Sequence, residues 1–157
     1  MFFKMKYNLS LTIILLFKIV LLKAETCVLI EYEEKILECN NLTNFNQIEN
    51  AINKEKLLNE LRIFHSTIEL PKNAFQYIEK LKIENSFIPK IDSNSFENAK
   101  LLKKISFNNI HFNSLDNLNF QPLGDNLDEL IFTQNRINNE IVKLLKQIRS
   151  IKRFKIS

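Results

Sequence analysis

Leu127-Asp128-Glu129-Leu130-Ile131-Phe132-Thr133-Gln134-Asn135-Arg136-Ile137 is the stretch on which the fold turns. Leu127, Leu130, Phe132 and Ile137 set apolar residues at offsets 0, 3, 5 and 10, with Asn135 at offset 8. The stretch between offsets 3 and 5 alternates, as a short half-buried strand does. Upstream the same spacing returns three times. Leu102 is followed by Ile105, Phe107, Ile110 and Phe112. Ile78 is followed by Leu81, Ile83, Ser86 and Ile88, and Leu58 by Leu61, Ile63, Ser66 and Ile68. Downstream, Ile151, Phe154 and Ile156 begin a partial fifth copy. The starts lie 20, 24, 25 and 24 residues apart.

A second pattern fills the intervals. Pro71-Lys72-Asn73-Ala74-Phe75, Ser93-Asn94-Ser95-Phe96 and Asn117-Leu118-Asn119-Phe120 each bring a Phe a few residues before the next start. Each Phe can plug the core behind a strand. In the fourth interval Ile141, Leu144, Leu145 and Ile148 fall at helical spacing, which predicts a short helix there. One strand with its return cannot bury its apolar face alone. Stacked copies share one core and pair their strands into a parallel sheet.

The period falls in the leucine-rich-repeat range. Leu127–Ile137, with the lead-in Pro122-Leu123-Gly124-Asp125-Asn126, resembles the extracellular leucine-rich-repeat family, its arthropod branch most. The resemblance covers roughly residues 36–157. It implies an α/β solenoid with a short-stranded parallel sheet on the concave face. The convex returns would be mostly irregular or short-helical. Ile36-Leu37-Glu38-Cys39 then looks like a reduced N-terminal cap. Three departures stand out. Only the fourth segment has Asn at the ladder position, and Ile110 cannot hydrogen-bond there as Ser66 and Ser86 can. The cap has fewer cysteines than usual. No C-terminal cap follows the four and a half repeats of residues 58–157, which would leave a sheet edge open.

Residues 1–24 read as a secretory signal peptide. Lys4 and Lys6 form the basic start, Leu9–Phe17 the apolar run, and Ala24 the small residue before Glu25. A membrane anchor is the alternative, but Leu9–Leu22 falls short of the ~20 apolar residues that span a bilayer and carries Lys18. Residues 25–57 form the cap-like segment, with Cys27 and Cys39 twelve residues apart. An oxidising compartment lets such a pair close, and two buried thiols are the other reading. Asn41-Leu42-Thr43 is an N-glycosylation acceptor.

The net charge of +4 would hint at nucleic acid, but all of it lies in Lys4, Lys6, Lys18 and Lys23. The remainder has 18 basic and 18 acidic side chains, so no nucleic-acid partner is expected. The outward positions of the strands form the candidate surface. One column holds Glu60, Lys80, Lys104, Glu129 and Arg153, and the next Arg62, Lys82, Ser106, Ile131 and Lys155. A third holds Phe64, Glu84, Asn108 and Thr133, and a fourth His65, Asn85, Asn109 and Gln134. A concave face of this kind suits a protein or glycan partner. Assembly through the open edge, as a scaffold subunit or part of a longer protein, is the competing expectation. The basic tail Lys143–Lys155 adds a third, contact with a membrane surface.

Catalysis is not expected. Gly124 is the only glycine, too few for a phosphate-cradling loop. His65 falls on a predicted strand face and His111 in a predicted return loop, in different repeats. No nucleophile–base–orienter set assembles from them. No cofactor or metal site is expected.

Overall fold

Apolar residues at offsets 0, 3 and 5 must turn one way along an extended chain, and they do. Leu58, Leu61 and Ile63 are fully buried, as are Ile78 and Ile83, Leu102, Ile105 and Phe107, and Leu127, Leu130 and Phe132. The computed structural model describes residues 27–135 and 151–157, the backbone of Lys18–Leu21, and Leu144 and Lys146. It is a mixed α/β architecture on one open sheet, whose eight strands follow chain order.

β1 (Lys18–Leu21), β2 (Cys27–Glu31) and β3 (Lys35–Asn40) are antiparallel neighbours. Then come β4 (Leu58–Phe64), β5 (Ile78–Ile88), β6 (Lys104–Phe112), β7 (Glu129–Thr133) and β8 (Arg153–Ile156). From β3 to β8 every neighbouring pair is parallel. Parallel neighbours force the chain to cross back after each strand. The returns therefore lie together behind the sheet. They also bond to each other: the Asn73 and Ala74 amides donate to the Asn94 and Ser95 carbonyls at 3.0 and 3.1 Å.

Phe75, Phe96 and Phe120 fill the space between sheet and returns, as their spacing predicts. Phe75 stacks on Phe96 at 5.1 Å and Phe96 meets Phe120 at 5.3 Å. Phe45 begins this column, edge-on to Phe75 at 5.8 Å. Each such contact adds about 0.5–1.5 kcal/mol beyond the area it buries.

Phe45 also leads into α1 (Asn46–Glu55), a helix that the repeat spacing does not announce. Ile48 and Ile52, one turn apart, bury one face of it. The helix ends at Lys56, whose φ of 55° is left-handed. The helix predicted over Ile141–Ile148 lies outside the described residues, except that Leu144 is helical and buried. A 3-10 segment, Gln121–Asn126, precedes β7 and breaks at Gly124, where φ is 53°. A Cβ on Gly124 would touch nothing within 4 Å, so the backbone angle alone asks for glycine there.

The irregularity expected at Ile110 has a backbone solution. The Leu42 amide donates to Ser66 Oγ and the Ser66 amide to Ser86 Oγ, both at 3.0 Å. Beyond the gap, the Ile110 amide donates to Asn135 Oδ1 at 2.6 Å, and Asn135 Nδ2 donates to the Phe107 carbonyl at 2.9 Å. At the step where Ile110 offers no side-chain acceptor, β5 and β6 lengthen. Their ladder runs on through Ser86–Ile110, Phe87–His111 and Ile88–Phe112. Strand pairing thus replaces the missing side-chain bond. His111 consequently lies in β6 and not in a return loop.

Cys27 and Cys39 sit opposite each other on β2 and β3 and form a disulfide. With Leu29 and Leu37 they close one end of the core. Among the described residues no helix is long and apolar enough to cross a membrane.

Candidate binding surfaces

Register turns three of the four expected columns into real rows. Glu60, Lys80, Lys104, Glu129 and Arg153 are successive partners across β4 to β8. Arg62, Lys82, Ser106, Ile131 and Lys155 form the next row, preceded by Glu38 on β3. Phe64, Glu84, Asn108 and Thr133 form the third, behind Asn40. These side chains lie opposite the core and range from largely covered, as Glu60 and Glu129 are at 14% exposure, to open, as Arg153 is at 74%. Phe64 and Ile131, the two apolar residues of these rows, are half-buried.

The face neutralises most of its own charge. Lys104 and Arg153 bracket Glu129 at 2.7 and 3.0 Å. Arg62 reaches Glu60 at 2.9 Å and Glu38 at 3.6 Å. Lys82 pairs with Glu84 at 3.2 Å and lies 5.7 Å from the centre of the Phe64 ring. Glu34, in the β2–β3 turn, leans over β4 to take Lys80 at 2.8 Å. Lys80, Lys82 and Lys104, with Glu60, Ser106 and Ile131, line a cavity of about 360 Å³. Arg62 Nε and Asn108 Oδ1 are covered yet make no hydrogen bond among the described residues.

Several protonation equilibria are displaced. A hydrogen bond to Glu60 raises the Arg62 guanidinium above its usual range. A hydrogen bond to Glu34 raises Lys80. The hydrogen bond from Lys104, seconded by Arg153, pulls the Glu129 carboxyl below its ordinary value. A carboxylate lowered on folding adds stability above its unfolded pKa. That stability is lost as pH falls through the folded value. Glu129→Gln is therefore expected to lower stability modestly at pH 7, where the paired carboxylate contributes, and to change little at low pH, where Glu129 is protonated, so that the acid limb of the stability–pH curve below about pH 5 is flattened. An unaltered acid limb would mean that Glu129 is not coupled to folding.

The fourth column goes elsewhere. Each of its members ends the first extended run of a strand: His65 and Gln134 follow β4 and β7, and Asn85 and Asn109 break the ladder within β5 and β6, with φ of 48°, 56°, 49° and 51°. Asn41 precedes them at the exit of β3, with φ 56°. A left-handed residue turns the chain, so these side chains are swung off the sheet face. They line a separate cleft of about 720 Å³, together with Phe87 and His111. His65 was expected on the sheet face; the bend at its own backbone takes it away. The two histidines, expected in unrelated places, share this cleft because register sets successive strand exits side by side. The signal was in the sequence as polar residues seven positions after each start, but positive φ cannot be read from His or Gln.

Asn41 is exposed. Among the described residues no group of three or more His, Cys, Asp or Glu is placed to hold a metal. No protein-family model matches this chain, and no curated protein matches it.

Proposed function

We propose that the chain is a secreted leucine-rich-repeat solenoid that binds a protein partner through the concave face of its sheet, without catalysis. The observation that carries this is the sheet-face cavity, where Lys80, Lys82 and Lys104 converge above Ile131. Charged rims around a small apolar floor are how protein interfaces are built. An acidic segment would exchange with Glu34, Glu84 and Glu129 for Lys80, Lys82 and Lys104, which a basic segment could not do.

Repeat identity is supported by one strand per period of 20–25 residues, in chain order and parallel from β3 onward. Secretion is supported by the disulfide and by the exposed acceptor Asn41. Cleavage after Ala24 would remove β1 and make β2 the first strand. Catalysis is disfavoured because the cleft shared by His65 and His111 has no carboxylate in its lining to orient either ring.

A displayed library of random peptides, selected on the full chain, tests the reading. Acidic peptides carrying an aliphatic or aromatic residue are expected to be enriched. Lys80→Glu with Lys82→Glu and Lys104→Glu should reduce their capture by about tenfold or more, the effect of losing ~1.4 kcal/mol. The exposed pairs these lysines make are each worth about 0–1 kcal/mol, so the variant should still show the parent's circular dichroism. Equal capture by both proteins would move binding off this face.

A second reading has its own observation. Phe154 and Ile156 are in register with the core residues Leu130 and Phe132, yet they are 37% and 45% exposed. An apolar, core-facing row left open suits assembly through β8. Light scattering separates the two. A defined oligomer that Phe154→Asp with Ile156→Asp returns to a monomer would favour edge assembly, and a monomer throughout would favour the sheet face.

A further inference from the structure

We infer that the cleft at the strand exits is a second binding site, and that its ligand is a neutral oligosaccharide. The cleft is separate from the sheet-face cavity and differs from it in chemistry. Charged residues make up 25% of the chain, and four of the seven that line the sheet-face cavity are charged. None of the Asp, Glu, Lys or Arg residues lines the strand-exit cleft. Its polar groups are amides, imidazoles and hydroxyls. A charged ligand would find no counter-ion there, whereas sugar hydroxyls both donate to and accept from such groups.

The polar groups have capacity to spare. Asn109 Nδ2 donates to Asn85 Oδ1 at 2.8 Å. Among the described residues this leaves the Asn85 amide donors, the Asn109 Oδ1 acceptor and the whole Gln134 amide without a side-chain partner. These positions repeat at the inter-strand spacing of about 4.8 Å, so the row from His65 to Gln134 runs about 14 Å. A linear oligosaccharide offers one hydroxylated ring per step of comparable length. Beside the row, Phe87 and His111 pack at 5.3 Å with their planes tilted by 41°. Phe87 is only half-buried, and an aromatic face takes the C–H side of a sugar ring. At about 720 Å³ the cleft falls within the ~300–1,000 Å³ typical of ligand sites.

The backbone sets where these side chains project. Left-handed φ is cheapest for glycine and is tolerated by Asn. The conformation also occurs outside the cleft, at Asn41, Lys56, Asn73 and Asn98, so it aims the row without itself marking a ligand.

The backbone geometry also supplies the test, because glycine keeps the bend and deletes the side chain. The full chain would be titrated calorimetrically with neutral tetrasaccharides of N-acetylglucosamine, β-linked glucose and mannose, and with a heparin tetrasaccharide. Saturable binding of a neutral sugar is expected, insensitive to salt. Asn85→Gly with Asn109→Gly, and separately Phe87→Ala, should each weaken it about tenfold, a loss of ~1.4 kcal/mol. The glycine pair should not lower the melting temperature, and Lys82→Glu should leave sugar binding unchanged. Failure of every neutral sugar to bind overturns the inference. So does preference for heparin, or binding that survives the glycine pair and is lost with the sheet-face lysines. The sheet-face reading can fail without touching this result, since the two sites share no lining residue.

Discussion

Phe96→Ala is expected to destabilise the fold by about 3–5 kcal/mol, the range for deleting a fully buried ring. The residue sits in the middle of the aromatic column, with Phe75 at 5.1 Å on one side and Phe120 at 5.3 Å on the other. Truncation removes the buried ring and both ring contacts, and leaves a cavity flanked by rigid neighbours. Phe75 and Phe120 belong to the returns before and after, so the loss falls on the packing between units. In stacked architectures that coupling holds the array together. Domains of this size have about 5–15 kcal/mol in total, so the variant should unfold at a much lower urea concentration. Phe96→Leu keeps part of the volume and should lose less. Equilibrium unfolding in urea reads both. A shift for Phe96→Ala below about 1 kcal/mol would mean that the column collapses onto the gap, and that Phe96 does not bridge the returns.

Replacing both Cys27 and Cys39 by Ala should cost about 3 kcal/mol. The bond closes a segment of twelve residues, and the unfolded chain regains that entropy when the link is absent. Alanine at both positions avoids a lone reactive thiol. The loss should be local in its dynamics. Leu29 and Leu37 on the same hairpin close the core beside β4, so a loosened hairpin admits water to Leu61 and Ile63. Hydrogen exchange should therefore accelerate first in residues 27–40, while β5 and β6 remain protected. Identical exchange in oxidised wild type and the double variant would show that the parallel ladder from β3 to β4 holds the hairpin without the disulfide.

Much of the sheet is legible from side-chain period. A strand shows its two faces at alternate residues, so Leu61 and Ile63 inward imply Arg62 and Phe64 outward before any contact is known. A period near 24 residues then puts like positions in neighbouring strands. That is why Glu60, Lys80, Lys104 and Glu129 form a row as expected. The buried Phe75, Phe96 and Phe120 follow from the same logic. Less legible was α1, because one pair of isoleucines, Ile48 and Ile52, carries its apolar stripe. Ion pairing was not legible either. Lys80 meets Glu34 across 46 residues of chain, and no periodicity links them.

Sequence by itself determined which residues face the core, the order and spacing of the strands, and the three polar rows of the sheet. Those properties depend on the two-residue alternation of an extended chain and on a repeat length, both written along the chain. Tertiary structure alone decided where the fourth row points. His65, Asn85, Asn109 and Gln134 share no single residue type, and each takes a left-handed φ between a strand held in a ladder and an inward-turned position after it: the buried Ser66, Ser86 and Ile110, and the half-buried Asn135. The neighbours on both sides impose the bend. The same constraint brings His65 and His111 to one cleft, an adjacency set by register between strands and not by anything local to either histidine.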